Sequence, residues 1–597
     1  MIPSLDLSLS QFMFPLAQVS DYWLRSWLQP IWFLGIGIGI GLVALFLAIG
    51  LFRVLSLTPW SNLSKSPAGH AVAALITTGI SSFIIYRLWG DLNTNTNPDA
   101  KIAGEPVLTA IAIILLSAIV GWAVVFCSGV NASRSTLDTL TEGASGYIGV
   151  TALVVVFFAC VLWAIGGRMA NPVVENPMAA IKSIPSVFTA GRQEIPFTVD
   201  PSPEAGNGKF VEMPLPSDFE SIAWIRIKSS TTVVMADSAD PSQVFKPPYR
   251  LASGETLGWM RPQPISEFPL ATGKGTKVYI QNSEIDKADV KIEYVTMPEV
   301  PQALSLVAIA IGTFLFGLSI LLQAGVAPRV SAVALATIKN ELGQPLFLVL
   351  MLVGSLLIVL FTFLSFNTFG EDIKLLKDCG ITVIMLIAAF QGVWSASSSV
   401  SDEIEGRTAL TVLSKPIQRR SFVIGKFMGL FWLLALMFVV LGTFELVAVS
   451  YKPLYDSKEA SLDMPTWQIC HMEMWKTFPG LLMAFMQAVL LTAVSVALAT
   501  RLPLLANLSI CFAIYLIGNL STSIVSSTVG TFPIVEFIAQ LVATIIPILE
   551  HFSMQSAIDA DKTITASLLS GNLIYCLLYV MLAMFLALIL FEDRDLA

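Results

Sequence analysis

The residues able to do chemistry in this chain are few and mostly solitary. His70, His471 and His551 are far apart and lack the spacing that brings two imidazoles onto one metal. Cys470, His471 and Met472 adjoin one another in a stretch read as a loop, where soft-metal donors collect. Interfacial or structural roles are the expectation for all three histidines. Cys127, Cys160, Cys379, Cys470, Cys511 and Cys576 are scattered, mostly in or beside apolar runs. None has C-x-x-C spacing, so neither a disulfide framework nor a zinc site is implied. Gly273-Lys274-Gly275-Thr276 lacks the upstream glycine of a phosphate-binding loop and reads as a turn. The chain is therefore expected to hold no cofactor or metal and to hydrolyse no ATP by itself. What remains is one polar stretch, Ser401 to Lys426. It opens on Asp402, Glu403 and Glu405, passes Gly406, Arg407 and Thr408, and runs through an apolar segment to Leu413. Lys415, Pro416, Arg419, Arg420 and Lys426 follow. Such charges are costly in lipid, so the stretch must sit at a water interface. Its basic end assigns that interface to the cytoplasmic side.

The elements that hold this stretch are membrane spans. The 597 residues are 55% hydrophobic and 13% charged, with a mean hydropathy of +0.75. Soluble domains carry about 25% charged residues, so the composition indicates a polytopic membrane protein. The net charge of −8 is spread over loops, and no basic patch supports nucleic-acid binding. The start of the chain lacks a basic segment followed by a short apolar core, so no cleaved signal peptide is expected. Residues 1–29 read as an amphipathic lead-in, with Trp23 and Trp27 at headgroup level.

Spans of ~20 residues, each enough for a ~30 Å hydrocarbon core, are expected at about Pro30–Leu57, His70–Trp89, Pro106–Val130, Tyr147–Gly167 and Pro301–Ala324. Six more follow, at about Pro345–Phe366, Ile381–Ser399, Phe422–Ser450, Phe478–Ala499, Leu504–Val525 and Leu568–Phe591. The first is rich in glycine, which suits close helix contacts. Val326–Gly343, interrupted by Arg329, Lys339 and Glu341, reads as an amphipathic helix on the membrane surface. Thr531–Glu550, with Pro533, Glu536 and Pro547, reads as a re-entrant segment covered by protein or water. Gln391, Glu445, Gln487 and Asn519 lie in or near span ends. They are read as inter-helical hydrogen-bonding groups, with the lining of a path as the alternative.

Between the fourth and fifth spans the composition turns polar. Val290, Ile292 and Tyr294 alternate with Lys291 and Glu293, and Ile222 and Trp224 alternate with Ala223, Ile225 and Ile227. Period-two runs separated by turn clusters predict a small antiparallel sandwich. Trp224 and Trp259 are candidate binding aromatics, with a core position favoured for Trp224. The expected fold is thus an α-helical polytopic membrane protein of about eleven transmembrane helices with an inserted extracytoplasmic β-sandwich-like domain. Its parts are a four-span region at 1–170, the β-rich domain at 171–300, the fifth span at 301–325, and a six-span core at 326–597.

The polar stretch also resembles the loop between the first two core spans of ABC-2-type transporter permeases. The matching residues are Glu403-x-Glu405, Gly406-Arg407-Thr408, Leu413-Ser414-Lys415-Pro416-Ile417, Arg419 and Gly425-Lys426. Ala336–Leu342, Ile546–Phe552 and the ending Phe591–Leu596 resemble further elements of that family. The resemblance, over about residues 326–597, implies an exporting permease subunit without its own nucleotide-binding domain. It implies a separate ABC ATPase that binds the ATP, and a homodimer or a paired permease. A coupling helix at Asp402–Leu413 is implied to pass ATPase movement to the spans. Its acidic first turn would also be favoured by the helix dipole, so capping is the other part those acids could play. Positive-inside bias places the β domain and the N-terminus outside and the C-terminus inside the cytoplasmic membrane of a bacterium, in contact with lipid. Arg87, Arg168 and Lys452 run against that bias. A force-transmitting anchor with a periplasmic partner or substrate at the β domain is the alternative. A lipid-sugar transferase would need clustered interfacial acids or histidines, which the sequence does not offer.

Overall fold

The computed structural model describes residues 22–93, 105–166, 174, 177–185, 191–201, 210–214, 222–236, 248–260, 278–296, 300, 302–364, 371–401, 418–528, 534, 537, 540–541, 545–561 and 564–592. It divides into two compact units, residues 176–308 and the remainder.

The larger unit is helical. Its elements are α1 (Tyr22–Ser56), α2 (Ala68–Asn93), α3 (Glu105–Phe126), α4 (Val130–Thr141) and α5 (Gly143–Gly166). Among its described residues, the polar insertion carries the short helix α6 (Pro177–Lys182) before its strands. Beyond it come α7 (Ala303–Val326), α8 (Pro328–Leu342), α9 (Pro345–Phe363), α10 (Asp372–Ala396), α11 (Arg419–Glu459), α12 (Trp467–Ala499), α13 (Leu504–Thr528), α14 (Gln555–Asp559) and α15 (Ala566–Glu592).

Ten described helices are long and apolar enough to cross a membrane: α1, α2, α3, α5, α7, α9, α11, α12, α13 and α15. The sequence-based count of eleven also included α10, which is not among the ten. Its first turns carry Asp372, Lys374, Lys377 and Asp378. It nevertheless packs along α9, α11 and α12, and at 1.5 Å per residue its 25 residues reach about 37 Å. Most of the amphipathic lead-in, residues 1–21, lies outside the described residues; its last part, with Trp23 and Trp27, belongs to α1, which is continuous from Tyr22 with Pro30 inside it.

The core sits around α11 and α12. Their most apolar windows are 67% and 78% buried, against 11% for α5. A helix that is apolar all round and surrounded by other helices is a pillar of the bundle, whereas one mostly uncovered faces lipid. Lipid is as apolar as leucine, so helices hold together here by close packing. The glycines of α1 serve this end. A Cβ at Gly41 would lie 2.6 Å from the Ala310 carbonyl oxygen of α7, and one at Gly35 would lie 2.8 Å from that of Val155 in α5.

The smaller unit holds two four-stranded antiparallel sheets. The strands are β1 (Gly191–Val199), β2 (Val211–Glu212), β3 (Ile222–Ser229), β4 (Val233–Ala236), β5 (Tyr249–Leu251), β6 (Thr256–Met260), β7 (Tyr279–Asn282) and β8 (Ala288–Thr296). One sheet has the order β1-β8-β3-β6 and the other β2-β7-β4-β5. Alternation along β8 buries Val290, Ile292 and Tyr294 against Val233, Met235, Leu251 and Ile280 in a core of this unit's own. The core face of β3 carries Ile225 and Ile227, as the alternation along the strand implies. A bulge between Ile222 and Trp224 shifts the register there. The Gly273–Thr276 turn lies outside the described residues.

Candidate functional site

Asp402, Glu403, Glu405, Gly406, Arg407, Thr408, Leu413 and Pro416 all lie outside the described residues. What the structure describes is how the two ends of that stretch are rooted. Upstream, α10 does not simply stop. The five residues that follow it, Ser397–Ser401, wind as a π-helix, a form frequent at functional sites. Three consecutive serines weaken the α-helical pattern there by offering the backbone other hydrogen bonds. Downstream, Arg419 opens α11 and donates from Nη1 to the Glu592 carbonyl oxygen at the end of α15, at 3.2 Å. Phe422 stacks on Phe591 with centroids 5.8 Å apart, and the Lys426 ammonium lies 5.6 Å from the Phe422 ring centroid.

The amphipathic helix α8 is fastened to the first turns of α11 by a G-x-x-x-G pair. A Cβ at Gly425 would stand 2.6 Å from the Val333 Cβ, and one at Gly429 would stand 2.8 Å from the Thr337 Cβ. The two backbones can meet this closely only because both positions are glycine. Glu341, fully buried at the end of α8, accepts a short hydrogen bond from Ser395 Oγ and another from Gln344 Nε2 at 3.2 Å. Gln391 Nε2 donates to Ser395 Oγ at 2.8 Å. On the other side, Asn507 Nδ2 donates to Ser397 Oγ at 2.6 Å and to Ser495 Oγ at 2.9 Å. Ser495 Oγ donates to the Val393 carbonyl oxygen at 3.3 Å. The π turn is thus held between α8, α12 and α13 by neutral hydrogen bonds and one buried carboxylate. A buried polar network of this kind favours one arrangement, although Gln391 Oε1 and Ser399 Oγ within it have no hydrogen-bond partner. Sequence reasoning placed Glu341 and Gln391 in this region but missed Ser395, Ser495 and Asn507. An asparagine early in the otherwise apolar run of α13 was the available signal.

The sequence profile of the ABC-2 family transporter proteins matches residues 270–596, more than half of the chain. The chain belongs to that family. No curated protein and no solved structure matches it. The family match begins well before the residue 326 suggested by the motif. It takes in β7, β8 and the whole of α7, so the fifth span and the end of the polar insertion are not outside the resemblance. As an ABC-2 family transporter protein the chain is a multi-pass membrane protein.

The opposite end of the ABC-2 bundle is organised by charge and aromatic rings. Lys377 of α10 makes a short ion pair with Glu473 of α12, which Lys476 also approaches at 3.4 Å. Lys476 reaches Asp561 at 2.7 Å, and that hydrogen bond holds the Asp561 carboxyl below the usual carboxylate range. Lys452, fully buried in α11, donates to the carbonyl oxygens of Thr362 and Leu364 at 3.4 and 3.3 Å, closing the C-terminus of α9. This explains why it runs against the loop-charge bias: it is a helix cap and not a loop cation.

At the same end α1 clasps the core through rings. Trp27 meets Tyr451 at 5.1 Å, Phe33 stacks on Trp467 at 5.5 Å, and Phe33 meets His471 edge-on at 5.3 Å. His471 is therefore a buried helical residue packed among rings, not a loop residue beside soft donors. Most of Thr531–Glu550 lies outside the described residues, but its end is irregular backbone leading into a short 3-10 turn at Glu550–Phe552. Leu549 N donates to the Gly518 carbonyl oxygen of α13 at 3.0 Å, and Ile548 N donates to Tyr575 Oη of α15 at 2.8 Å. Asn572 Nδ2 donates to the His551 carbonyl oxygen at 2.7 Å. Non-helical backbone is tolerated among spans when its polar groups find such partners. Of the four intramembrane polar residues, Gln487 and Asn519 bond across helices at 3.4 Å as expected, Gln391 bonds within α10, and Glu445 finds no hydrogen-bond partner.

Proposed function

We propose that the chain is the permease subunit of an ATP-driven ABC-2 exporter in the cytoplasmic membrane of a bacterium, driven by a separate ATPase subunit, with two permease chains in the working assembly. The observation that carries this reading is the rooting of residues 402–417. The upstream root is a π turn held on both sides by hydrogen bonds, and the downstream root is an α11 start locked to α8 by Gly425 and Gly429. A force applied between such roots moves whole helices and is not absorbed by slack, because packed interiors pass strain on. Asp402, Glu403 and Glu405 would form the acidic first turn of the coupling helix. Gly406, Arg407 and Thr408 would offer polar contact to the ATPase, and Leu413, Pro416 and Arg419 would close the helix back onto α11. With this loop cytoplasmic, the ends carrying Lys377, Glu473 and Asp561 and the β unit fall outside.

The experiment is charge reversal at Glu403 and at Glu405 in the chain copurified with its ATPase. Both variants should insert normally while ATP hydrolysis uncouples from transport. Unchanged transport and complex formation in both would remove the coupling assignment. A second reading, a force-transmitting anchor that engages an envelope partner, is favoured by one observation: the polar insertion packs a core of its own, as a binding module must. Stimulation of ATPase activity by an exported substrate separates the two.

A further inference from the structure

Glu445 is fully buried in α11, and among the described residues it is the buried carboxylate whose two oxygens both lack a hydrogen-bond partner. Its carboxyl group presses on the bare backbone of Gly380 in α10, where any Cβ would collide with it. Lys377 stands three residues before Gly380, on the same face of α10. Positions so spaced lie about 5–6 Å apart between Cβ atoms, a gap the four-carbon stem of lysine can span. Lys377 is also the cation whose charge acts on Glu445. In the conformation described, however, the lysine is paired with Glu473 of α12, which is shared with Lys476. One acid thus attends two lysines while its neighbour has none, and Lys377 lies between them. An uncompensated buried carboxylate is among the costliest groups a protein can carry, and breaking a buried pair strands the other partner at similar cost.

We propose that Glu445 is a second seat for Lys377. The lysine pairs with Glu473 of α12 in the arrangement described here and with Glu445 of α11 in another arrangement of the same three helices. Glu445 is then a positioning residue for the sliding of α10 between α11 and α12. The purpose of the exchange rests on the transport reading above; its occurrence does not.

The test is a thermal-unfolding cycle on the full chain purified in detergent. E445Q removes an acidic group that has no partner here and should leave Tm unchanged or raise it. E473Q should lower Tm modestly, because Lys377 moves to Glu445 and Lys476 keeps Asp561. The double variant E445Q/E473Q leaves Lys377 with neither acid, and its Tm should fall by more than the sum of the two single shifts. In a K377M background that excess should vanish. A double variant that equals the sum overturns the proposal. So does an E473Q chain that cannot fold, since Glu445 would then have failed to receive the lysine, and so does an excess that persists in K377M. An additive cycle leaves the transport reading standing, and coupled transport in the Glu403 and Glu405 variants would remove that reading without touching the cycle.

Discussion

The two ends of the α11–α12 pillar are built on different physics. At the end where residues 402–417 emerge, the buried contacts are led by backbone-close glycines and hydrogen bonds around one carboxylate, with one ring stack (Phe422–Phe591) and one exposed ion pair (Lys339–Glu142) beside them: Gly425 and Gly429 against α8, Ser395 on Glu341, and Asn507 on Ser397 and Ser495. At the other end they are ion pairs and rings: Lys377–Glu473, Lys476–Asp561, Lys452 on α9, and Phe33 on Trp467. Neutral hydrogen bonds and glycine contacts are short-ranged and have one geometry. Ion pairs act over longer distances and can change partners with less loss. The first end is suited to hold a direction and the second to permit a choice between arrangements.

The sharpest way to break this contrast is to push apart the glycine contact. Gly429→Leu forces a side chain into Thr337 and the Ala334 carbonyl, and overpacking of this kind costs about 3 kcal/mol. The folded fraction in detergent should fall steeply, while the same change at Gly79, where a Cβ would meet nothing within 4 Å, should do little. Comparable losses at both sites would mean that the G-x-x-x-G contact is not special.

The neutral network comes next. Asn507→Leu removes the bonds to Ser397 and Ser495 and leaves those hydroxyls buried without their donor, for a loss of about 2 kcal/mol. Added salt should not change the size of that loss, since no charge pair is broken; a loss that shrinks with salt would count against a neutral origin.

The smallest effect is expected from Asp561. Its folded-state pKa is depressed by Lys476, so its stabilisation is present above the unfolded value of about 3.9 and is lost as pH falls through the lower folded value. Its side chain is 62% exposed, so solvent screens the pair to about 0.5 kcal/mol or less. Asp561→Asn should therefore shift Tm slightly at pH 7, and by less at a pH below 4 or in high salt. A shift that does not depend on pH would assign the effect to packing.

Much of this was legible in the residues. Apolar runs long enough to span a bilayer announced the helices, and period-two alternation at Val290, Ile292 and Tyr294 announced the sandwich core. The bulge between Ile222 and Trp224, where β3 has one residue more than its partner strand, was not legible, because the pairing that defines a bulge involves a second strand. His471 was misplaced because Tyr451–Lys476 reads as a polar connection. Its charges are those of α11 and α12 extended beyond the apolar part: α11 alone has 41 residues, about 60 Å at 1.5 Å each.

Composition, span length and the motif from Glu403 to Lys426 were enough to determine a membrane protein of the ABC-2 kind, because hydrophobic length and interfacial charge are properties of local sequence. Which groups meet was decided by the tertiary structure alone. Nothing along the chain says that Asn507 completes the hydrogen bonds of Ser397, that Gly425 receives Val333, or that Lys377 rests on Glu473 and leaves Glu445 without a partner. Those pairings join positions tens to more than a hundred residues apart. They exist only because close helix packing brings the two side chains to one place and excludes the water that would otherwise have satisfied each of them.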